Sequence, residues 1–132
     1  MFRPTLARRM VHMGTILDVV DNSGARRLRV IKTLGGRQRR AGGIGDIVVA
    51  SVQETRHADG KVKKGDVKKA LIVRTKKGIA RPNGHRIKFL QNAAVVLNEN
   101  KDPAFTRVFG PVCSELRELG FAKVLSLART IV

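Results

Sequence analysis

The chain has 132 residues, 42% of them apolar, with 27 lysines and arginines against 10 acids and a formal net charge of +17. That length suits one domain burying about two-thirds of its unfolded surface, and the apolar content is too high for a disordered basic tail. No apolar run nears the roughly 20 residues that span a bilayer, and the basic residues do not line one face of a long helix, so a membrane is set aside and nucleic acid is the expected partner.

Residues 1–13 hold Arg3, Arg8 and Arg9 without an acid, and Phe2, Leu6, Met10 and Met13 recur near helical spacing. Two readings stand open for this extension: a mitochondrial import segment, or a basic tail lying on RNA. The folded domain is expected over 14–132. Its first element is a strand over 15–20, followed by Asp21-Asn22-Ser23-Gly24, a cluster suited to a tight reversal. The return strand over 26–34 alternates Arg27 and Arg29 with Leu28 and Val30, which places guanidinium groups on one face and a core on the other.

A loop over 35–45 follows, with five glycines to bring backbone close to a ligand and Arg37, Arg39 and Arg40 to supply charge. It completes neither a dinucleotide fingerprint nor a nucleoside-triphosphate loop, so no mononucleotide site is expected. A strand over 46–55 turns at Ala58-Asp59-Gly60 into Lys61-Val62-Lys63-Lys64-Gly65-Asp66 and an apolar strand over 67–75. That strand lies between lysine clusters, because Lys76 and Lys77 follow it. A basic hairpin over 79–89 turns at Asn83-Gly84, and another apolar strand covers 92–98.

After Pro103, Gly110-Pro111 predicts a helix of about nine residues with Val112, Leu116 and Leu119 on one face and Gly120 as its stop. Residues 121–128 read as extended and apolar. Many short strands with frequent reversals and one late helix indicate a mainly β protein, a small barrel more than a sandwich. There is no sign of an internal repeat or a second domain.

Clusters decide the reading of the cations. Residues 67–98 hold eight lysines and arginines and no acid, and residues 22–45 hold seven and none. Self-repulsion of that order favours phosphate contact over a merely solvated face. The candidates for RNA are Arg26, Arg27, Arg29, Arg37, Arg39, Arg40, Lys61, Lys63, Lys64, Lys68, Lys69, Arg74, Lys76, Lys77 and Arg81. The arginines are the stronger of these, since a planar fork holds phosphate with two hydrogen bonds. Five phenylalanines and no tryptophan or tyrosine leave little material for stacking bases, so phosphate gripping and shape reading are expected.

Asp21, Asp46 and Asp66 sit beside turns and read as backbone caps or ion-pair partners. His12, His57 and His85 are too scattered to suggest a metal, no cofactor or small-molecule substrate is implied, and no nucleophile with a base points to an enzyme. Cys113 is the one cysteine, which excludes an internal disulfide and fits a reducing compartment; a buried small side chain is its commoner role.

Val19-Val20-Asp21-Asn22-Ser23-Gly24-Ala25-Arg26-Arg27, Lys61-Val62-Lys63-Lys64-Gly65-Asp66, Val73-Arg74-Thr75-Lys76-Lys77-Gly78 and Phe109-Gly110-Pro111-Val112 occur in an order that resembles the universal large-subunit ribosomal protein fourteen family of bacterial and organellar type. The resemblance covers about residues 10–132. It implies a five-stranded barrel with a basic hairpin extension and short C-terminal helices, bound to large-subunit rRNA near the subunit interface. It further implies contacts with neighbouring large-subunit proteins, bridges to small-subunit rRNA, and a docking surface for a ribosome-silencing factor at Thr106, Arg107 and Lys123. The chain departs from the family at Leu90-Gln91, where an acid is usual, and at Phe105, where glycine usually precedes Thr106, which points to a lineage-specific partner there. Residues ahead of the family's usual start near Met10 favour an organelle, most simply a mitochondrion, over a bacterial cytoplasm or chloroplast. A free single-strand nucleic-acid-binding barrel is the rival function.

Overall fold

The computed structural model describes residues 11–35, 41–56 and 61–132. Five strands close a barrel in the order β2, β3, β5, β6, β9: β2 (Ile16–Val19), β3 (Ala25–Thr33), β5 (Ile47–Thr55), β6 (Val67–Arg74) and β9 (Ala93–Leu97). Four of the pairings are antiparallel, and the fifth, β9 on β2, is parallel with Asp18 opposite Ala93. The expected five-stranded barrel is therefore present. The reversals fall where turn residues stand, and Gly24 takes a φ of 90° between β2 and β3.

Period-2 alternation sorts the apolar residues into two cores. On β6, Ala70 and Ile72 face the barrel interior with Leu17, Leu28, Val30, Val48 and Val52, while Leu71 and Val73 face an outer layer. On β9, Ala94 and Val96 point inward, and Ala93, Val95 and Leu97 outward. Both strands are buried on two sides, which is why they read as continuous apolar runs. Each large side chain so buried contributes about 1.5–3 kcal/mol. Val11, in the two-residue strand β1 (Val11–His12) paired with β4 (Ala41–Gly42), is also fully buried, so the body of the fold reaches back into the stretch assigned to the N-terminal extension.

The outer layer corrects the C-terminal expectation. Gly110 and Pro111 lie in strand β10 (Val108–Val112), helix α1 is only Glu115–Glu118, and Leu119 is exposed. Residues read as extended instead form a second helix, α2 (Ala122–Leu127), before strand β11 (Ala128–Ile131) runs parallel to β10. The cause of α2 is the spacing of Phe121, Val124 and Leu125, which puts three buried side chains on one helical face. The cause of β10 is the buried Arg74, which bonds the Phe109 and Pro111 carbonyls.

The hairpin β7 (Ile79–Ala80) and β8 (Arg86–Ile87) turns at Asn83-Gly84 as expected, with Gly84 at φ 89° and the His85 N–H donating to Asn83 Oδ1 at 3.0 Å. At its root Gly78 has φ 70°, and a Cβ there would overlap the Ile87 carbonyl oxygen. Gly78→Ala is expected to unravel this hairpin, with loss of amide protection over 79–87 in hydrogen exchange. The barrel strands should keep theirs, because no barrel side chain is disturbed.

Candidate nucleic-acid interface

The acids near the turns act as backbone acceptors, as their positions suggested. Asp66 Oδ2 accepts from the Lys63 N–H at 2.9 Å, and Asp46 Oδ2 from the Gly43 N–H at 2.7 Å. Lys61, Lys63 and Lys64 are thereby held exposed on a shaped loop at one end of β6. Lys76 and Lys77 stand exposed at its other end, where the Lys76 N–H donates to Asn92 Oδ1. Eight residues of strand place the two clusters about 26 Å apart. Lys68 and Lys69 are half-buried on β6 and, with Lys61, border a cleft of about 510 Å³ whose wall includes Phe105. Phe105 itself packs against the barrel core.

On the adjoining strands the arginines are partly paired. Arg27 lies between Asp18 on β2 and Glu54 on β5, at 3.9 and 3.7 Å, and Arg26 Nε is 4.0 Å from Glu54. All are exposed enough for these pairs to be weak and open to competition by phosphate. Arg29 is exposed and has no ion-pair partner among the described residues. Arg37, Arg39 and Arg40 lie outside the described residues.

Two predicted RNA ligands are committed elsewhere. Arg74 is 5% exposed, and its Nη1 donates to the carbonyls of Phe109 and Pro111 at 3.0 and 3.2 Å. Burial lowers its pKa from the usual arginine range, against the opposing pull of Asp18. Arg81 Nε donates to Glu115 Oε1, and its Nη2 to the Val132 carbonyl oxygen, tying the β7–β8 hairpin to the end of the chain. Desolvation pushes the Glu115 carboxyl up, but the Arg81 hydrogen bond, a backbone N–H and the Arg81 charge together hold it below its usual range. Burial pushes the neighbouring Cys113 thiol up to about 11, so it stays protonated and unreactive at neutral pH.

Thr106, Arg107 and Lys123 are all exposed. Asn22 clamps the first two: its Oδ1 accepts from both backbone N–H groups at 3.1 Å, and its Nδ2 donates to Thr106 Oγ1 at 2.9 Å. Lys123 Nζ is 3.1 Å from Asp102 in the same loop region. From sequence Asn22 is a turn residue only, because acceptors and donors 84 and 85 residues away leave no local signature. Arg86 likewise has no local mark of its role, donating twice to the Lys77 carbonyl across the mouth of the hairpin. Among the described residues no group of three or more histidine, cysteine or acidic side chains could hold a metal.

These features define a small cationic β-barrel whose charge is carried on turns and outer strand faces while its interior is apolar. The family model for ribosomal protein L14p/L23e matches residues 10–132. The chain belongs to that family and is a protein of the large ribosomal subunit. The resemblance drawn from the four motifs is thereby borne out.

Proposed function

We propose that the chain is a structural, non-catalytic constituent that binds large-subunit rRNA near the subunit interface and contributes to bridging between subunits. The observation that carries this reading is the pair of exposed lysine clusters at the two ends of β6, where Lys61, Lys63, Lys64 and Lys76 have no ion-pair partner among the described residues. A rigid strand about 26 Å long keeps the clusters apart, so each neutralises a separate run of phosphate and the barrel fixes RNA segments that would otherwise repel one another. Arg26, Arg27, Arg29, Lys68, Lys69 and Lys77 extend this surface. Arg74 and Arg81 are left out of it because Arg74 is buried against the Phe109 and Pro111 carbonyls and Arg81 is paired with Glu115 and the Val132 carbonyl.

The same proposal gives Thr106, Arg107 and Lys123 the role of a protein-contact surface for a ribosome-silencing factor or a neighbouring large-subunit protein, and places the ribosome in a mitochondrion. Imaging a tagged chain beside one lacking residues 1–9 tests the compartment; unchanged mitochondrial targeting would remove the import role from that segment.

RNA binding is tested by titrating the purified chain with a structured large-subunit rRNA fragment across salt. Affinity should fall steeply as salt rises, and K63A/K64A should weaken binding at least tenfold while reducing the log–log salt slope by about 1.5. Flat binding across that range would refute the proposal. Comigration with the large subunit on a sucrose gradient separates this role from that of a free nucleic-acid-binding protein.

A further inference from the structure

A second cleft, of about 580 Å³, opens on the side of the barrel where the 88–91 segment faces β10. Its lining residues include Arg56, Arg74 and Lys88 and contain no aspartate or glutamate. Two large apolar side chains border it: Leu90 is 97% exposed, and Phe109 is 44% exposed. Scattered exposed apolar residues are ordinary, but here two of them meet over one cavity.

The back of the cleft is fixed. Arg74 is held there by the Phe109 and Pro111 carbonyls, while its buried Nε has no hydrogen-bond partner among the described residues. With the Gln91 amide oxygen turned toward it, Nη2 donates to Gln91 at 2.8 Å, and the Gln91 nitrogen donates to Asp18 at 3.3 Å. Arg56 donates to the Val19 carbonyl at 3.4 Å and keeps its charge at the opening. Asp18, which also pairs with Arg27, reaches the Gln91 side of this group, and Asp21 lies within electrostatic range of Arg56.

Such a surface suits neither bare solvent nor a sugar-phosphate chain alone. Phosphate would satisfy Arg56 and Lys88, but Leu90 gains nothing from it. Burial of a leucine against another apolar side chain is favourable because it removes apolar surface from water. We propose that this cleft docks a protein segment in which an apolar side chain, seated between Leu90 and Phe109, is adjacent to an aspartate or glutamate that meets Arg56 and Lys88. The cations supply orientation and selection against basic segments, and the apolar pair supplies the buried centre of the contact. None of the lysines assigned to RNA lines this cleft, so the two readings fail independently.

The test is a photocrosslink in the assembled particle. A benzophenone amino acid is placed at position 90, large subunits are purified on a gradient, irradiated, and the adduct is sequenced. Leu90 makes no packed contact that folding needs, and gradient comigration reports incorporation separately. The expected adduct is to a protein segment carrying an acid within three residues of the crosslinked apolar position. Adding Lys88→Glu should lower its yield at least fivefold, whereas Arg117→Glu, on an exposed face outside both the cleft and the lysine clusters, should leave it unchanged. A crosslink to rRNA, a crosslink to a segment without a nearby acid, no crosslink from incorporated protein, or an equal yield in the Lys88→Glu background would each overturn the proposal.

Discussion

Asp21→Asn is expected to destabilise the isolated chain by about 2–3 kcal/mol, and Asp21→Ala by about 3–4 kcal/mol, in urea unfolding. Asp21 is 1% exposed. One carboxylate oxygen accepts from the Ser23 N–H at 3.0 Å and shapes the β2–β3 reversal; the other accepts from the Val96 N–H at 2.8 Å, 75 residues away in β9. Asparagine keeps one acceptor but turns an NH₂ group on the other donor. Alanine leaves both buried N–H groups unpaired.

The pH dependence follows from the same burial. Desolvation raises the Asp21 pKa above the unfolded carboxyl value, against hydrogen bonds from Ser23 and Val96 and the charge of Arg56. The folded state therefore holds this proton more tightly. The stability it contributes is full below the unfolded carboxyl range and is lost as pH rises through the folded pKa. The difference in stability between parent and Asp21→Asn should shrink as pH rises through that window. A variant within about 0.5 kcal/mol of the parent would show that the Val96 bond does not hold β9 in place.

The barrel was legible because its causes are local. Alternating side chains on 26–34, Asn83-Gly84 in a two-residue turn, and apolar runs bounded by glycine or asparagine each act within a few residues, and the strands lie where those patterns fall. The C-terminal segment was not legible for the opposite reason. Gly110-Pro111 carries the marks of a helix start, but Arg74, 35 and 37 residues earlier in the chain than the carbonyls it holds, fixes both of them in an extended, bulged strand. The period that forms α2 was present in Phe121, Val124 and Leu125, yet over eight residues an apolar run fits strand and helix alike.

The candidate interface divides along the same line. Exposed lysines next to glycine and aspartate were found by composition alone. A guanidinium that bonds backbone carbonyls has no partner residue type to search for, so Arg74 looked like its exposed neighbours, and Arg81 did so because its partner Glu115 lies 34 residues away. The motifs that carried the family resemblance are also those that meet in space. Val20 in the first motif accepts from the Phe109 N–H in the last at 2.7 Å, and Val73-Arg74-Thr75 holds Phe109-Gly110-Pro111 through Arg74. A family motif here marks a long-range tie as much as a ligand contact.

Arg74→Ala should cost about 3–5 kcal/mol, because it empties a buried site, removes the donor of the Phe109 and Pro111 carbonyls and leaves Asp18 with less opposing charge. Arg74→Lys should recover little of this, since one ammonium cannot reproduce a planar fork that reaches two carbonyls and Gln91. Gly110 makes the arrangement checkable as a pair. It sits at φ 81°, and a Cβ would overlap Arg74 Nη1, so Gly110→Ala carries both backbone strain and a clash. In the Arg74→Ala background the clash is gone and only the strain remains. The double variant should therefore be more stable than the sum of the single losses by at least 1 kcal/mol. Folded Arg74→Ala protein should bind rRNA with the parent's salt slope, because the side chain faces the protein. A slope reduced by about one unit would return Arg74 to the RNA surface.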